Sequence, residues 1–230
     1  MQQYFLNQKL HLNLEVELTN EILHHLKTVL RSNDGYEFCL VDVSHQAFLA
    51  ELFNGHAKII KKLAVDCELD IDVTVILSLI KNERFDFCLQ KLTELGVKRI
   101  VPLMAHRSII KVKDEEKKLS RYQKIVTEAA EQSRRLYVPK IEAFAKIDDL
   151  EKYKSDYNYV AYEKNFDKQI DYRLIDRDFT YVIGPEGGFE EYEIAKLLAM
   201  GFKTMSLGKR ILRAETAAIY VMANLGGNQR

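Results

Sequence analysis

The sequence predicts an α/β chain in two parts, a small β-rich domain over residues 1–70 and a largely parallel sheet covered by helices over residues 71–230. Two observations carry this. Leu10, Leu12, Leu14, Val16 and Leu18 alternate strictly with polar residues, so a strand there has one apolar face, and Asn54-Gly55 between two strand-like runs is a hairpin signal. From Ile71 the pattern becomes strand then helix, repeatedly, opening on Val73–Leu79, nearly continuously apolar as a strand buried on both faces must be.

In chain order, the alternating strand over 10–18 is followed by a short helix with Asn20 as its N-cap and Ile22, Leu23, Leu26 and Leu30 on one side. Asp34-Gly35 ends the connection, and Tyr36–Val41, Ala47–Phe53 and His56–Leu63 read as strands, so the spacing predicts a small β domain with one helix. After Val73–Leu79, Phe85, Cys88, Leu89, Leu92 and Leu95 mark one helix face and Gly96 closes it. Ile100–Leu103 is the next strand and Tyr122, Ile125, Val126, Ala129 and Ala130 the next helix face. Strands at Tyr159–Tyr162, Phe179–Ile183 and Thr204–Leu207 complete the series, and ligands of such sheets sit beyond the strand carboxyl ends.

Composition bounds the function. Lys plus Arg equals Asp plus Glu at 34 each, which argues against an RNA binder relying on bulk charge, while a locally clustered patch can still bind phosphates. Cys39, Cys67 and Cys88 form no Cys-x-x-Cys and are odd in number, which reads as reduced thiols in the cytoplasm. No basic-then-apolar leader opens the chain, and no run approaches the roughly 18 apolar residues of a membrane span. His24 and His25 point about 100° apart on a helix and no Cys/His cluster accompanies them, so no metal is expected.

Two loops stand out. Ile183-Gly184-Pro185-Glu186-Gly187-Gly188-Phe189 joins a strand end to a helix whose first turn holds Glu190, Glu191 and Glu193. Its glycines let backbone pass where a Cβ would collide, and the helix start offers free N–H groups. Leu207-Gly208-Lys209-Arg210-Ile211-Leu212-Arg213 repeats the logic before a helix from about Glu215. Neither is a dinucleotide fingerprint, and Gly208-Lys209-Arg210 lacks the glycine spacing and Ser or Thr of a P-loop. Two strand-end loops close in sequence predict one pocket. The charged stretch Lys111–Arg121 reads either as a solvated helix start or, with Arg107, Lys124, Arg134 and Arg135, as a phosphate-contacting face; Lys81, Arg84 and Lys91 join the same candidates.

Taken together, His24-His25-Leu26 to Val29-Leu30-Arg31, Gln90-Lys91 to Glu94-Leu95-Gly96-Val97, Glu128-Ala129-Ala130-Glu131-Gln132-Ser133, Ile183–Phe189 and Leu207–Ala217 resemble the RsmE family of 16S ribosomal RNA uridine-N3 methyltransferases, within the SPOUT superfamily. Five such segments in order cover nearly the whole chain. The resemblance implies a PUA-like RNA-binding β-barrel over 1–70 and a trefoil-knotted S-adenosylmethionine-dependent methyltransferase domain over 71–230. It also implies a homodimer, for which the apolar last helix, Ala217–Leu225, is one candidate interface and burial within the monomer the other explanation.

By the same resemblance, main chain around Ala161, Tyr162 and Glu163, around Ile183, Gly184, Pro185, Gly187 and Gly188, and around Ser206, Leu207, Gly208, Ile211 and Leu212 grips the cofactor. A uridine N3 must lose its proton before it can accept a methyl group. Arg213, or Arg210, is placed to stabilise the resulting negative charge, and Glu186 or Glu215 to take the proton, although Glu215 at a helix start also reads as a cap. Arg31, Lys81, Arg84, Lys91, Arg107, Arg121, Arg134 and Arg135 are the candidate contacts to 16S RNA on the small ribosomal subunit. Two departures from the family pattern matter: the chain opens Met1-Gln2-Gln3-Tyr4-Phe5 without the usual arginine, and Arg134 replaces a glycine. A SPOUT enzyme acting on another RNA or on a ribose 2′-hydroxyl, and a non-catalytic RNA-binding protein, are the alternatives; intact glycine loops speak against the latter.

Overall fold

The computed structural model describes residues 1–108, 110, 112–164 and 169–226. The chain divides into two compact units, one of residues 1–68 with 130–137, the other of residues 69–129 with 138–226 among the described residues.

The first unit is a curled, mixed five-stranded half-barrel of β1 (Gln3–Phe5), β2 (Glu15–Glu17), β3 (Glu37–Val41), β4 (Ala47–Phe53) and β5 (His56–Lys62), in the order β1-β3-β4-β5-β2. Its core is Leu26, Phe38, Leu40, Leu52 and Ile59, all without solvent exposure. Asn54 (φ +47) and Gly55 (φ +81) turn β4 into β5 with both φ positive, the twist a two-residue hairpin needs. The alternation over 10–18 yields only the three residues of β2. Asn13 takes φ +62 and reverses the chain, and Leu12 is left 54% exposed while Leu10, Val16 and Leu18 are buried. Alternating burial here belongs partly to a loop.

The helix α1 (Asn20–His24) is capped by Thr19, one residue before the expected Asn20: Thr19 is extended and its hydroxyl accepts the Ile22 N–H at 3.3 Å. A π-helical segment, His25–Val29, continues it, with Leu30 N–H bonded to the His25 carbonyl. The wider turn shifts the stripe, so Leu26 is buried and Leu30 is 40% exposed.

The second unit is built on six parallel strands, β6 (Val73–Ser78), β7 (Arg99–Leu103), β8 (Lys140–Ile141), β9 (Tyr157–Ala161), β10 (Phe179–Ile183) and β11 (Lys203–Met205), ordered β11-β9-β10-β6-β7-β8. Every residue of β6 and β10 is buried, which explains their unbroken apolar runs. On one face lie α2 (Asn82–Glu94) and α5 (Ala214–Gly226), over Val75, Leu77, Phe179 and Tyr181; on the other, α4 (Glu191–Ala199) and a 3-10 segment, Ile147–Tyr153, over Ile76, Val160 and Val182. Gly96 (φ +101) ends α2 as expected. A further helix, α3, spans Glu115–Gln132.

The apolar last helix is explained within the chain. Ala217, Ala218, Val221, Met222 and Leu225 of α5 are buried in the unit's own core, and the buried Tyr181 hydroxyl donates to the Ala218 carbonyl at 2.8 Å. Among the described residues no helix is long and apolar enough to cross a membrane.

Candidate active site

The carboxyl ends of three neighbouring strands, β9, β10 and β11, frame a cleft of about 420 Å³, within the range of small-molecule sites. All thirteen residues nominated for cofactor contact line it: Ala161, Tyr162 and Glu163 after β9, Ile183, Gly184, Pro185, Gly187 and Gly188 after β10, and Ser206, Leu207, Gly208, Ile211 and Leu212 after β11. Phe189, Ala214 and Ala217, which belong to the two loop motifs but were not nominated for cofactor contact, line it too. Ala214 and Ala217 are three apart at the start of α5, so small residues on one turn of a helix beginning at a loop were the available signal.

The glycine loop has a defined cause for each glycine. A Cβ on Gly184 would lie 3.1 Å from the Phe189 ring, and one on Gly188, at φ +69, would lie 3.1 Å from Glu163 Oε1. The Gly188 N–H closes a turn onto the Pro185 carbonyl at 2.9 Å. The loop ends in a reciprocal cap: Glu190 precedes α4, its side chain accepts from the Glu193 backbone, and its own N–H donates to Glu193 Oε2 at 2.9 Å. In the second loop Gly208 takes φ +103.

The charged candidates separate by what they touch. Glu186, Arg210 and Arg213 line the cleft. Among the described residues no carboxylate forms an ion pair with Arg210 or Arg213, so both guanidiniums are open to an incoming charge. Glu215 does not line the cleft. Its side chain is only 13% exposed, one oxygen lies 3.7 Å from Arg84 Nε, and the other is buried with no hydrogen-bond partner among the described residues. Burial and the nearby Glu215 together push the Cys88 thiol of α2 up to about 12, so that thiol is neutral near pH 7. Arg84 also stands 3.6 Å from Glu186, and its guanidinium thus sits between both candidate proton acceptors.

The remaining cations are similarly divided. Arg107 is bonded to Glu190 and to the Gly187 carbonyl, Lys91 to Glu94 at 2.7 Å, and Arg121 to Asp86. Lys81 is exposed at the start of α2. In the first unit Arg31 and Arg134 are exposed. Arg135 is corrected as a surface RNA contact: its side chain is 3% exposed and donates to Glu68 Oε2 at 2.6 Å, while the Leu136 and Tyr137 N–H groups cap Glu68 Oε1. A buried arginine held this way organises its own loop. Arg134, where the resemblance expects glycine, takes φ +60, a conformation that costs a side-chain-bearing residue about 1 kcal/mol. Lys111 lies outside the described residues. Among those described, no group of three or more His, Cys, Asp or Glu is arranged to hold a metal ion.

Comparisons with known proteins follow the same lines. A family model described as an RNA methyltransferase domain matches residues 67–226. The ribosomal RNA small subunit methyltransferase E of Mesomycoplasma hyopneumoniae (strain 232) is 34% identical, over 96% of this chain and 97% of its own, and that of Bacillus subtilis (strain 168) is 32% identical over 97% and 95%. Among solved structures, the ribosomal RNA small subunit methyltransferase E of Neisseria gonorrhoeae bound to S-adenosyl methionine superposes with TM-score 0.91 at 31% identity, covering 99% of this chain and 97% of that one. A methyltransferase from Legionella pneumophila in complex with the bound cofactor SAM gives 0.89 at 28%, covering 98% and 96%.

Proposed function

This chain belongs to the ribosomal RNA small subunit methyltransferase E family, with its RNA methyltransferase domain over residues 67–226, and we propose that it moves the methyl group of S-adenosylmethionine to N3 of a uridine in 16S ribosomal RNA on the assembled small subunit, in the cytoplasm. The observation that carries the reading is the cleft: two glycine loops, and on the same walls a carboxylate, Glu186, with two arginines, Arg210 and Arg213, that have no ion-pair partner among the described residues.

The fit to the cofactor is physical. Gly184 and Gly188 let the loop pack against Phe189 and Glu163, which line the same cleft, and Ile183, Leu207, Ile211 and Leu212 offer apolar contact to a base and a methylene chain. When bound, S-adenosylmethionine supplies an electrophilic methyl on a sulfonium. The chain's part is to hold the nucleophile in line and to manage its proton, since the N3–carbon bond forms as the sulfur–carbon bond breaks and the N3 proton must leave. Arg213, with Arg210, faces the negative charge that appears on the flanking carbonyl oxygens. Of the two acids, Glu186 is favoured as acceptor because it lines the cleft and Glu215 does not. Glu215 is better read as a buried partner of Arg84.

The two units divide the work in this proposal: that of residues 1–68 with 130–137 holds RNA, and that of residues 69–129 with 138–226 performs the transfer. Arg31, Lys81, Lys91, Arg121 and Arg134 remain the candidate phosphate contacts, each exposed or on a flexible, partly exposed stem. The homodimer belongs to the same proposal and rests on the family resemblance, with Tyr220, 43% exposed on α5, as its candidate contact. Gel filtration at micromolar protein is expected to give twice the chain mass; the mass of one chain would remove the dimer.

The direct test is transfer from labelled S-adenosylmethionine to small subunits lacking the modification and to naked 16S RNA, with mass mapping of the product. N3-methyluridine on the subunit is the expected result. Label on a ribose 2′-oxygen selects the other SPOUT chemistry, and measurable cofactor binding without transfer to either substrate moves the target to another RNA.

A further inference from the structure

We infer that Arg107 is a positioning residue for the cofactor rather than a contact to RNA: it holds the Gly184–Glu190 loop in its binding shape from the neighbouring loop after β7. Three hydrogen bonds do this. Nε and Nη2 donate to the two oxygens of Glu190 at 2.8 and 2.9 Å, a fork on a carboxylate, and Nη1 donates to the Gly187 carbonyl at 2.8 Å. The residue before it adds a fourth tie, the His106 N–H donating to Glu193 Oε1 at 2.9 Å. Both acids of the α4 cap are therefore gripped from the β7 side.

The packing of Gly187 points the same way independently. A Cβ there would lie 3.4 Å from both Cβ and Cδ of Arg107, so the glycine backbone lies directly against the arginine's aliphatic stem. Gly187 thus serves two neighbours, the cleft on one side and Arg107 on the other. Lysine could match the charge but not the geometry, because an ammonium on a flexible stem cannot span two carboxylate oxygens and a carbonyl at fixed angles. Arg107 is 46% exposed and Glu190 29%, so water screens their attraction and the pair adds little to overall stability. What the fork fixes is where Gly187 and Gly188 stand.

The inference rests on the cleft being the cofactor site, and its test separates the two. Binding of S-adenosylmethionine alone is measured by calorimetry for wild type, Arg107→Ala, Arg107→Lys and Glu190→Gln, with a thermal melt of each and the KM for small subunits at saturating cofactor. Arg107→Ala is expected to weaken cofactor binding about tenfold, with Arg107→Lys recovering only part and Glu190→Gln losing less than the alanine variant because Arg107 keeps its bond to the Gly187 carbonyl. The double variant Arg107→Ala with Glu190→Gln should be no weaker than Arg107→Ala alone, since the alanine already removes the contact to Glu190. Melting temperatures and the KM for the subunit should stay near wild type. Cofactor affinity within about twofold of wild type in all three variants overturns the inference, and a rise in KM for the subunit alongside it returns Arg107 to the RNA face. If Arg107→Ala fails to fold, the lysine and Glu190→Gln variants decide by the same criteria. Absence of cofactor binding by wild-type protein instead removes the reading of the cleft.

Discussion

Replacing Gly188 with valine is expected to weaken S-adenosylmethionine binding by about 100-fold while leaving the chain folded. Two costs combine. Gly188 sits at φ +69, where a β-branched residue is an outlier, and a Cβ there would lie 3.1 Å from Glu163 Oε1, a residue that lines the same cleft. The strained loop escapes by leaving its bound shape, since the turn onto Pro185 and the Arg107 bond that hold Gly187 and Gly188 are few, and the ligand must then pull it back at about 3 kcal/mol. A loop at the mouth of a sheet can relax without disturbing β6 and β10, which are buried along their whole length, so the melting temperature should change little. Isothermal calorimetry with a far-UV melt checks both halves. Wild-type affinity in Gly188→Val would mean that this backbone does not touch the cofactor.

The same glycine loop was legible in the sequence because its physics is local. A strand buried on both faces reads as an apolar run, a helix start as acids, and a close approach as glycine, and all three lie within Tyr181–Ile194. What failed to show was whatever depends on partners far along the chain. Arg135 reads as a surface cation until Glu68, 67 residues away, is seen against it, and Arg107 reads as a free cation until Glu190 appears 83 residues later. Charge is assigned to the surface by default, and only the fold says which cations are already spoken for. Leu10–Leu18 failed differently: a period of two is satisfied equally by a strand and by a loop that dips in and out, and the positive φ of Asn13 decided for the loop. The π-helical turn at His25–Val29 likewise leaves no trace in a pattern read at 3.6 residues per turn.

Arg213→Ala is expected to lower turnover on small subunits by about 10² to 10³-fold with cofactor affinity nearly unchanged, the loss typical of removing one donor from a site of developing negative charge. The reason to choose Arg213 over the other arginines is availability. Arg84 faces Glu186 and Glu215, Arg107 is forked onto Glu190, Arg121 meets Asp86 and Arg135 is buried on Glu68. Arg213 lines the cleft with no ion-pair partner among the described residues, and its carbonyl receives the Ala217 N–H at 2.8 Å, which fixes its backbone at the start of α5. A rigidly based, unpaired guanidinium is preorganised for charge that appears only during reaction, so its removal should fall on kcat rather than on the KM for cofactor. Arg213→Lys keeps the charge but loses the planar pair of N–H donors that can meet a uracil carbonyl oxygen at fixed angles, and should recover only part of the rate. Arg210→Ala separates the two cations: the smaller loss of the pair belongs to the supporting residue. Wild-type single-turnover rates in Arg213→Ala with cofactor bound would move charge stabilisation from Arg213 to Arg210 of the same loop.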